Sequence, residues 1–192
     1  MTDHTAPLLI IVHPGSACGS ADATVGRDNA DQARLDMIQL IGSWEGSVAV
    51  IDSHLSDELD ETWRRTWGEL GEAIRDALKK AKNAGHHAMR IMGDDDSTGF
   101  NQDDAAIEIS KQCGITAGDQ VTLTGAWAAQ DGIDGCVNGA RATLESIGIP
   151  CHIEAALDPE LDGDEYRDDE PDPEHEDPEH LTGSYARSPK PT

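Results

Sequence analysis

The stretch Pro7-Leu8-Leu9-Ile10-Ile11-Val12 is an uninterrupted apolar run that ends at His13-Pro14-Gly15, a turn signal. A run without polar alternation is typical of a strand that is buried on both faces, as in a parallel sheet. Gly46 to Ile51 has the same character and predicts a second buried strand. Between them, apolar residues recur on one side of Asp31 to Ile41 and predict a helix. The chain therefore begins as a strand–helix–strand unit.

The same alternation continues along the chain. A long helix is predicted where apolar residues recur every three or four positions, at Trp63, Trp67, Leu70, Ile74, Leu78 and Ala81. Three further strands are predicted at His87–Met92, Val121–Thr124 and Cys151–Ala156, and two further helices at Gln102–Cys113 and Cys136–Ile147. The order βαβαβαβαβ predicts an α/β fold: a three-layer, Rossmann-like sandwich with a mostly parallel sheet of about five strands and right-handed crossovers.

Charge divides the chain and limits its partners. The formal net charge is −24, with 38 acidic residues against 14 Lys and Arg. Residues 158–192 are rich in Asp, Glu and Pro, which predicts a disordered acidic tail after an α/β domain at residues 1–157. So negative a surface repels phosphate backbones and anionic lipids, and the longest aliphatic run is too short to span a bilayer. We expect no nucleic-acid or membrane partner, while a small-molecule ligand and a homo-oligomer stay open.

The N-terminus and the cysteines indicate the compartment. Met1-Thr2-Asp3-His4 lacks the positive segment of a signal peptide. The four cysteines stand at positions 18, 113, 136 and 151, and no two have the C-x-x-C spacing of a zinc or thiol-redox motif. These features predict a cytoplasmic protein with free thiols.

Polar residues follow the first three predicted strands. In doubly wound sheets, ligands bind at the carboxyl ends of the strands. His13, Asp52, His54 and Asp94 come just after strands one to three, so we expect them near one edge of the sheet. Imidazole and carboxylate together suit zinc or manganese, so the divalent metal site of a metal-dependent hydrolase is one hypothesis, and ordinary loop residues are the other. No other cofactor is expected.

Cys136 is the candidate nucleophile among the four cysteines. It begins a predicted helix, where the positive end of the macrodipole lowers a thiol pKa and favours the thiolate. Cys113 falls in the last turn of a helix, where the dipole opposes ionisation, and Cys151 falls within a strand. Cys18 lies in a loop and stays open. The alternative role of Cys136 is that of a small buried residue.

About residues 97–158 resemble the isochorismatase-like cysteine hydrolases. Ser97-Thr98-Gly99-Phe100 is similar to the Ser-Ala-Phe element that precedes a helix in that family, and Asp119 to Gly125 is similar to its fourth strand. Cys136-Val137, with Gly148 twelve residues after the cysteine, has the family's spacing. The resemblance implies an α/β core and a small-molecule hydrolase with Cys136 as its nucleophile.

Two catalytic positions of that family have no counterpart in this chain. The first strand ends in Val12-His13 where the family has Asp, and no Lys occurs at residues 85–96, where the family's Lys is expected. His13 is the candidate base in place of the missing Asp, because a neutral imidazole can accept the thiol proton at physiological pH. A non-catalytic binding or assembly module on the same fold is the alternative.

The scarcity of lysine, with five in the chain, leads to a prediction about salt. An acidic, Lys-poor surface is typical of proteins that work in high salt, where self-repulsion is screened, although ordinary acidity is the other interpretation. The halophilic hypothesis predicts that the melting temperature rises between low and molar KCl. Thermal unfolding at both salt concentrations tests it, and an unchanged melting temperature would contradict it.

Overall fold

The computed structural model describes residues 6–18, 21, 25–52, 61–93, 102–130 and 133–157. The predicted acidic tail lies outside these residues. The longer strands are β1 Leu8–Val12, β2 Ser47–Asp52, β3 Ala88–Met92, β4 Val121–Ala126 and β7 Cys151–Leu157, and the short strands are β5 Ala129–Gln130 and β6 Ile133–Asp134. The α-helices of the described residues are α1 Arg27–Ser43, α2 Glu61–Asn83, α3 Gln102–Gln112 and α4 Cys136–Ser146. Within these residues, no helix is both long and apolar enough to cross a membrane.

The five longer strands form one parallel sheet in the order β3-β2-β1-β4-β7. The chain moves outward from β1 to β3 and then returns to pair β4 with the other edge of β1. The strand order therefore reverses between β1 and β4, which we call the switch point. A sheet of this kind opens its ligand-binding crevice there, at the carboxyl ends of the two strands.

Helices cover both faces of the sheet. Helices α1 and α2 pack on one face, around Leu9, Ile11, Met37, Ile41, Val50, Leu70 and Ile74. Helices α3 and α4 pack on the other face, around Leu8, Ile10, Val12, Ile51, Ile109, Leu123 and Leu144. Successive residues of β1 thus enter opposite cores, which explains why its sequence is continuously apolar. The predicted three-layer α/β sandwich is confirmed.

The structure differs from the sequence prediction in two local details. Helix α1 begins at Arg27, four residues before the predicted start at Asp31. The prediction begins late because residues 27–29 are exposed and show no apolar pattern. The strands β5 and β6, which the sequence does not predict, pair as a small antiparallel hairpin. Each has only two residues, too few for an alternating pattern to show.

The contact between β4 and β1 at the switch point requires a glycine. Gly125 is the register partner of Val12 and has a φ of 125°, a conformation that residues with a side chain avoid. A Cβ at this position would overlap the carbonyl oxygen of Val12. The absence of a side chain therefore lets the end of β4 lie directly against the end of β1.

We expect Gly125→Ala to lower the free energy of unfolding by at least about 3 kcal/mol, because it adds a steric overlap and a strained backbone together. Gly85→Ala is the matched control, since Gly85 also has a positive φ but nothing within 4 Å of its Cβ position. The control should cost only about 1–2 kcal/mol. Urea unfolding of both variants measures the difference, and equal losses would show that the contact with Val12 is unimportant.

Candidate active site

His13 stands at the carboxyl end of β1. Its backbone N–H donates to the carbonyl of Ile51 at 2.8 Å, which continues the pairing of β1 with β2. Its φ of 44° is left-handed, uncommon for a residue other than glycine, and turns the chain into a short 3-10 helix at Pro14–Ala17. The side chain is 4 % exposed. The structure therefore places His13 as a buried imidazole beside the switch point.

A buried arginine fixes the turn that follows His13. Arg34 of α1 is 4 % exposed and donates from Nη1 to the carbonyl of Ala17 at 2.9 Å. Its Nη2 also pairs with Asp31 one turn earlier in the helix. The hydrogen bond to Ala17 ties α1 to the 3-10 helix, and Asp31 supplies the countercharge that a buried guanidinium needs. The sequence analysis missed Arg34, although its spacing from Met37 and Ile41 puts it on the apolar side of the helix.

The other wall of the switch point is the segment from β4 to α4. The Ala126–Trp127 peptide bond is cis. The carbonyl of Trp127 accepts a hydrogen bond of 3.0 Å from the N–H of Val137, in the first turn of α4. Gly135 is the N-cap residue of α4, and a Cβ there would overlap the carbonyl oxygen of Trp127. These contacts hold the start of α4 against the end of β4.

Cys136 is the first residue of α4 and is partly buried. Val12 pairs with Gly125 across the switch point, and Trp127, two residues further on, holds the first turn of α4. His13 follows β1, and Cys136 begins the helix whose first turn is held by the segment after β4, so both lie toward the carboxyl ends of the two strands that border the crevice. The roles of Cys136 as nucleophile and His13 as base stay predictions.

The first turn of α3 lies beside the first turn of α4. Asp103 Oδ1 and Gln102 Nε2 each lie 3.3 Å from the point that a Cβ of Gly139 would occupy. On its other side, α3 is close to Gly93, where a Cβ would come within 3.3 Å of the Cα of Gln102. Two glycines therefore let this turn fit between the end of β3 and the start of α4. The isolated glycine inside α4 is the sequence signal for this close approach of the two helices.

The other three thiols differ from Cys136 in their burial or in their place in the fold. Burial raises the pKa of Cys113 to about 11. Burial, together with the charge of Glu145, raises the pKa of Cys151 to about 11, against a smaller opposing effect of Arg141. Cys18 is 1 % exposed, so a reagent cannot reach it without movement of the chain. Cys136 is the one of the four cysteines that is both partly exposed and at the N-terminus of a helix.

The proposed metal ligands are only partly described. The Asp52 carboxylate accepts two hydrogen bonds of 2.8 Å from the Arg90 guanidinium, and this interaction raises the pKa of Arg90. His54 and Asp94 lie outside the described residues. Within the described residues, no three His, Cys, Asp or Glu side chains group closely enough to hold a metal ion. A metal at this edge would have to compete with Arg90 for Asp52.

Comparison of the chain with protein-family models, with curated proteins and with solved structures returned no match. The resemblance to the isochorismatase-like hydrolases therefore stays a prediction.

The metal hypothesis predicts stoichiometric zinc or manganese in the purified protein, because His13, Asp52, His54 and Asp94 would supply nitrogen and oxygen ligands. Elemental analysis of protein prepared without chelator measures it. Asp52→Asn should then lower the metal content, while Asp104→Asn, an exposed position on α3, should not. Metal-free wild-type protein would exclude the hypothesis.

Proposed function

We propose that the protein is a small-molecule hydrolase in which Cys136 is the nucleophile and His13 is the base. The observation that carries the proposal is the position of Cys136 as the first residue of α4, at the carboxyl edge of the sheet beside the switch point. A helix N-terminus favours the thiolate, and this edge is where doubly wound sheets bind small ligands.

The proposed chemistry uses one covalent intermediate. His13 accepts the proton of the Cys136 thiol, and the thiolate attacks the carbonyl carbon of an ester or amide. The tetrahedral adduct collapses to a thioester. The alcohol or amine leaves after it takes the proton from the imidazolium, which returns His13 to the neutral form. Water then attacks the thioester with His13 as its base, which releases the acid and restores the thiol.

The cellular setting is part of the same proposal. None of the four cysteines forms a disulfide, which fits a reducing compartment, and we place the protein in the cytoplasm. Free thiols fit a mechanism that needs a reduced Cys136. A non-catalytic module on the same fold is the competing function. In that case Cys136 would be only a small packed residue.

Alkylation near pH 7 tests the nucleophile. We expect iodoacetamide to modify Cys136 at least about ten times faster than Cys113 or Cys151, because at a pKa of about 11 only about one thiol in ten thousand is a thiolate at neutral pH. The labelling of those two thiols should rise with pH until about pH 11. Peptide mass spectrometry of the native protein resolves each site.

A second measurement tests the hydrolase itself. With p-nitrophenyl acetate, wild-type protein should release p-nitrophenolate and carry a transient acetyl group on Cys136. Cys136→Ser should abolish the adduct, His13→Gln should slow its formation, and Cys151→Ser is the control that should change neither. If Cys136 is labelled no faster than Cys113 and Cys151, or carries no acetyl group, the proposal is wrong and the non-catalytic module is favoured.

A further inference from the structure

His13 has a backbone conformation that the chain must hold from both sides. Its φ of 44° and ψ of 51° are left-handed, which is unfavourable for a residue with a side chain. Such a conformation persists only where neighbouring contacts fix it. On the N-terminal side that contact is the hydrogen bond of 2.8 Å from the His13 N–H to the carbonyl of Ile51 in β2. The position of the buried imidazole therefore depends on what holds the chain on the C-terminal side.

The C-terminal side is held by the 3-10 helix and by Arg34. The N–H of Ser16 donates to the His13 carbonyl at 3.0 Å, so the first hydrogen bond of the 3-10 helix closes on His13 itself. The last residue of that helix, Ala17, accepts the hydrogen bond of 2.9 Å from Arg34 Nη1. The 3-10 helix also lies against β2 and β4, beside the switch point. Arg34 is thus connected to His13 through one short turn that is hydrogen-bonded at both ends.

The guanidinium of Arg34 is buried at this turn, unlike that of its neighbour on α1. Arg34 and Arg27 both pair with Asp31, Arg27 at 3.9 Å. The Arg27 side chain is 62 % exposed, whereas that of Arg34 is 4 % exposed. Burial of a charged group is unfavourable unless its donors are used, and Asp31 and Ala17 use those of Arg34. The two arginines therefore share a countercharge but differ in their contact with the turn.

We propose that Arg34 is a positioning residue that holds the turn after β1 and thereby keeps the imidazole of His13 at the switch point. The inference rests on the proposed function, in which His13 is the base, and it adds the residue that places this base. Without the guanidinium, the carbonyl of Ala17 loses its buried donor, and the turn opens more often. The imidazole of His13 then leaves its buried position.

The accessibility of His13 is measured with diethyl pyrocarbonate, which transfers an ethoxycarbonyl group to a neutral imidazole nitrogen and releases ethanol and carbon dioxide. Arg34→Met removes both donors from a long side chain, and Arg34→Lys keeps the charge and one donating group. Two variants on α1 are controls. Arg27→Met removes the other arginine that pairs with Asp31. Ile41→Ala makes a cavity at a buried position about 10 Å further along the helix.

We expect Arg34→Met to raise the rate of modification of His13 by at least about ten-fold, because a buried hydrogen bond from a charged group is lost. Arg34→Lys should give an intermediate rate. Arg27→Met and Ile41→Ala should stay within about two-fold of the wild-type rate, since they do not touch the turn. The exposed His152 is the internal reference, and peptide mass spectrometry resolves each site.

Two results would overturn the proposal. One is a rate at His13 that is unchanged in Arg34→Met, or in Arg34→Lys if the Met variant does not fold. The other is a rate that rises equally in Ile41→Ala, which would mean that Arg34 contributes only to the general stability of the helix.

The formation of acetyl-Cys136 from p-nitrophenyl acetate connects this position to the reaction. Arg34→Met should slow adduct formation by at least about ten-fold when His13 is present, because a displaced base no longer accepts the proton. In the His13→Gln background the same change should slow it by less than about two-fold, since a residue that acts through His13 has nothing left to position. Equal slowing in both backgrounds would contradict the positioning role.

The two proposals fail in different ways. If His13→Gln leaves adduct formation unchanged, His13 is not the base and the proposed function is wrong. The modification rate of His13 in the Arg34 variants then still decides whether Arg34 holds the turn. If His13→Gln slows adduct formation but Arg34→Met neither exposes His13 nor slows the reaction, the positioning role is wrong and the proposed function stands.

Discussion

The pairing of β1 with β4 is the constraint on which the rest of the structure depends. It puts the fourth strand beside the first, in parallel, so the order of strands in the sheet reverses between them. The segments that follow β1 and β4 therefore lead away to different neighbouring elements. Gly125 makes the pairing close enough by removing the side chain that would meet Val12. The turn at His13 and the start of α4 are both positioned by this pair of strands.

Small residues also determine how helices reach the crevice. Gly135 lets α4 begin against Trp127, and Gly139 lets α3 lie against the first turn of α4. Such contacts bring helix N-termini and polar side chains to one edge of the sheet. The positive end of α4 lies at this edge, where Cys136 is the first residue of the helix.

The four cysteines have different environments although they are the same residue type. Cys113 and Cys151 contribute to the same core as the inner face of α4, and burial disfavours their charged forms. Cys18 packs in the other core. Cys136 also packs against the core of Cys113 and Cys151, and it differs from the other three because it begins a helix at the carboxyl edge of the sheet.

Periodicity alone determined the class of fold. The uninterrupted apolar run at Leu8–Val12 requires burial on both faces, and the alternation of strands and helices then leads to a parallel three-layer sheet. The same rule directed attention to His13 and Cys136, since each directly follows or begins a recognisable element. Whether Cys136 is a nucleophile stays a prediction that neither the pattern nor the fold decides.

Only the tertiary structure decided which side chains meet. The ion pair of Asp52 with Arg90, the buried contact of Arg34 with Ala17 and the approach of Asp103 to Gly139 join residues on different elements. Periodicity reports which face of an element is apolar, but it does not report the register of strands or the side on which a crossover helix packs. Those depend on the packing of the whole chain, and they determine the chemistry at the switch point.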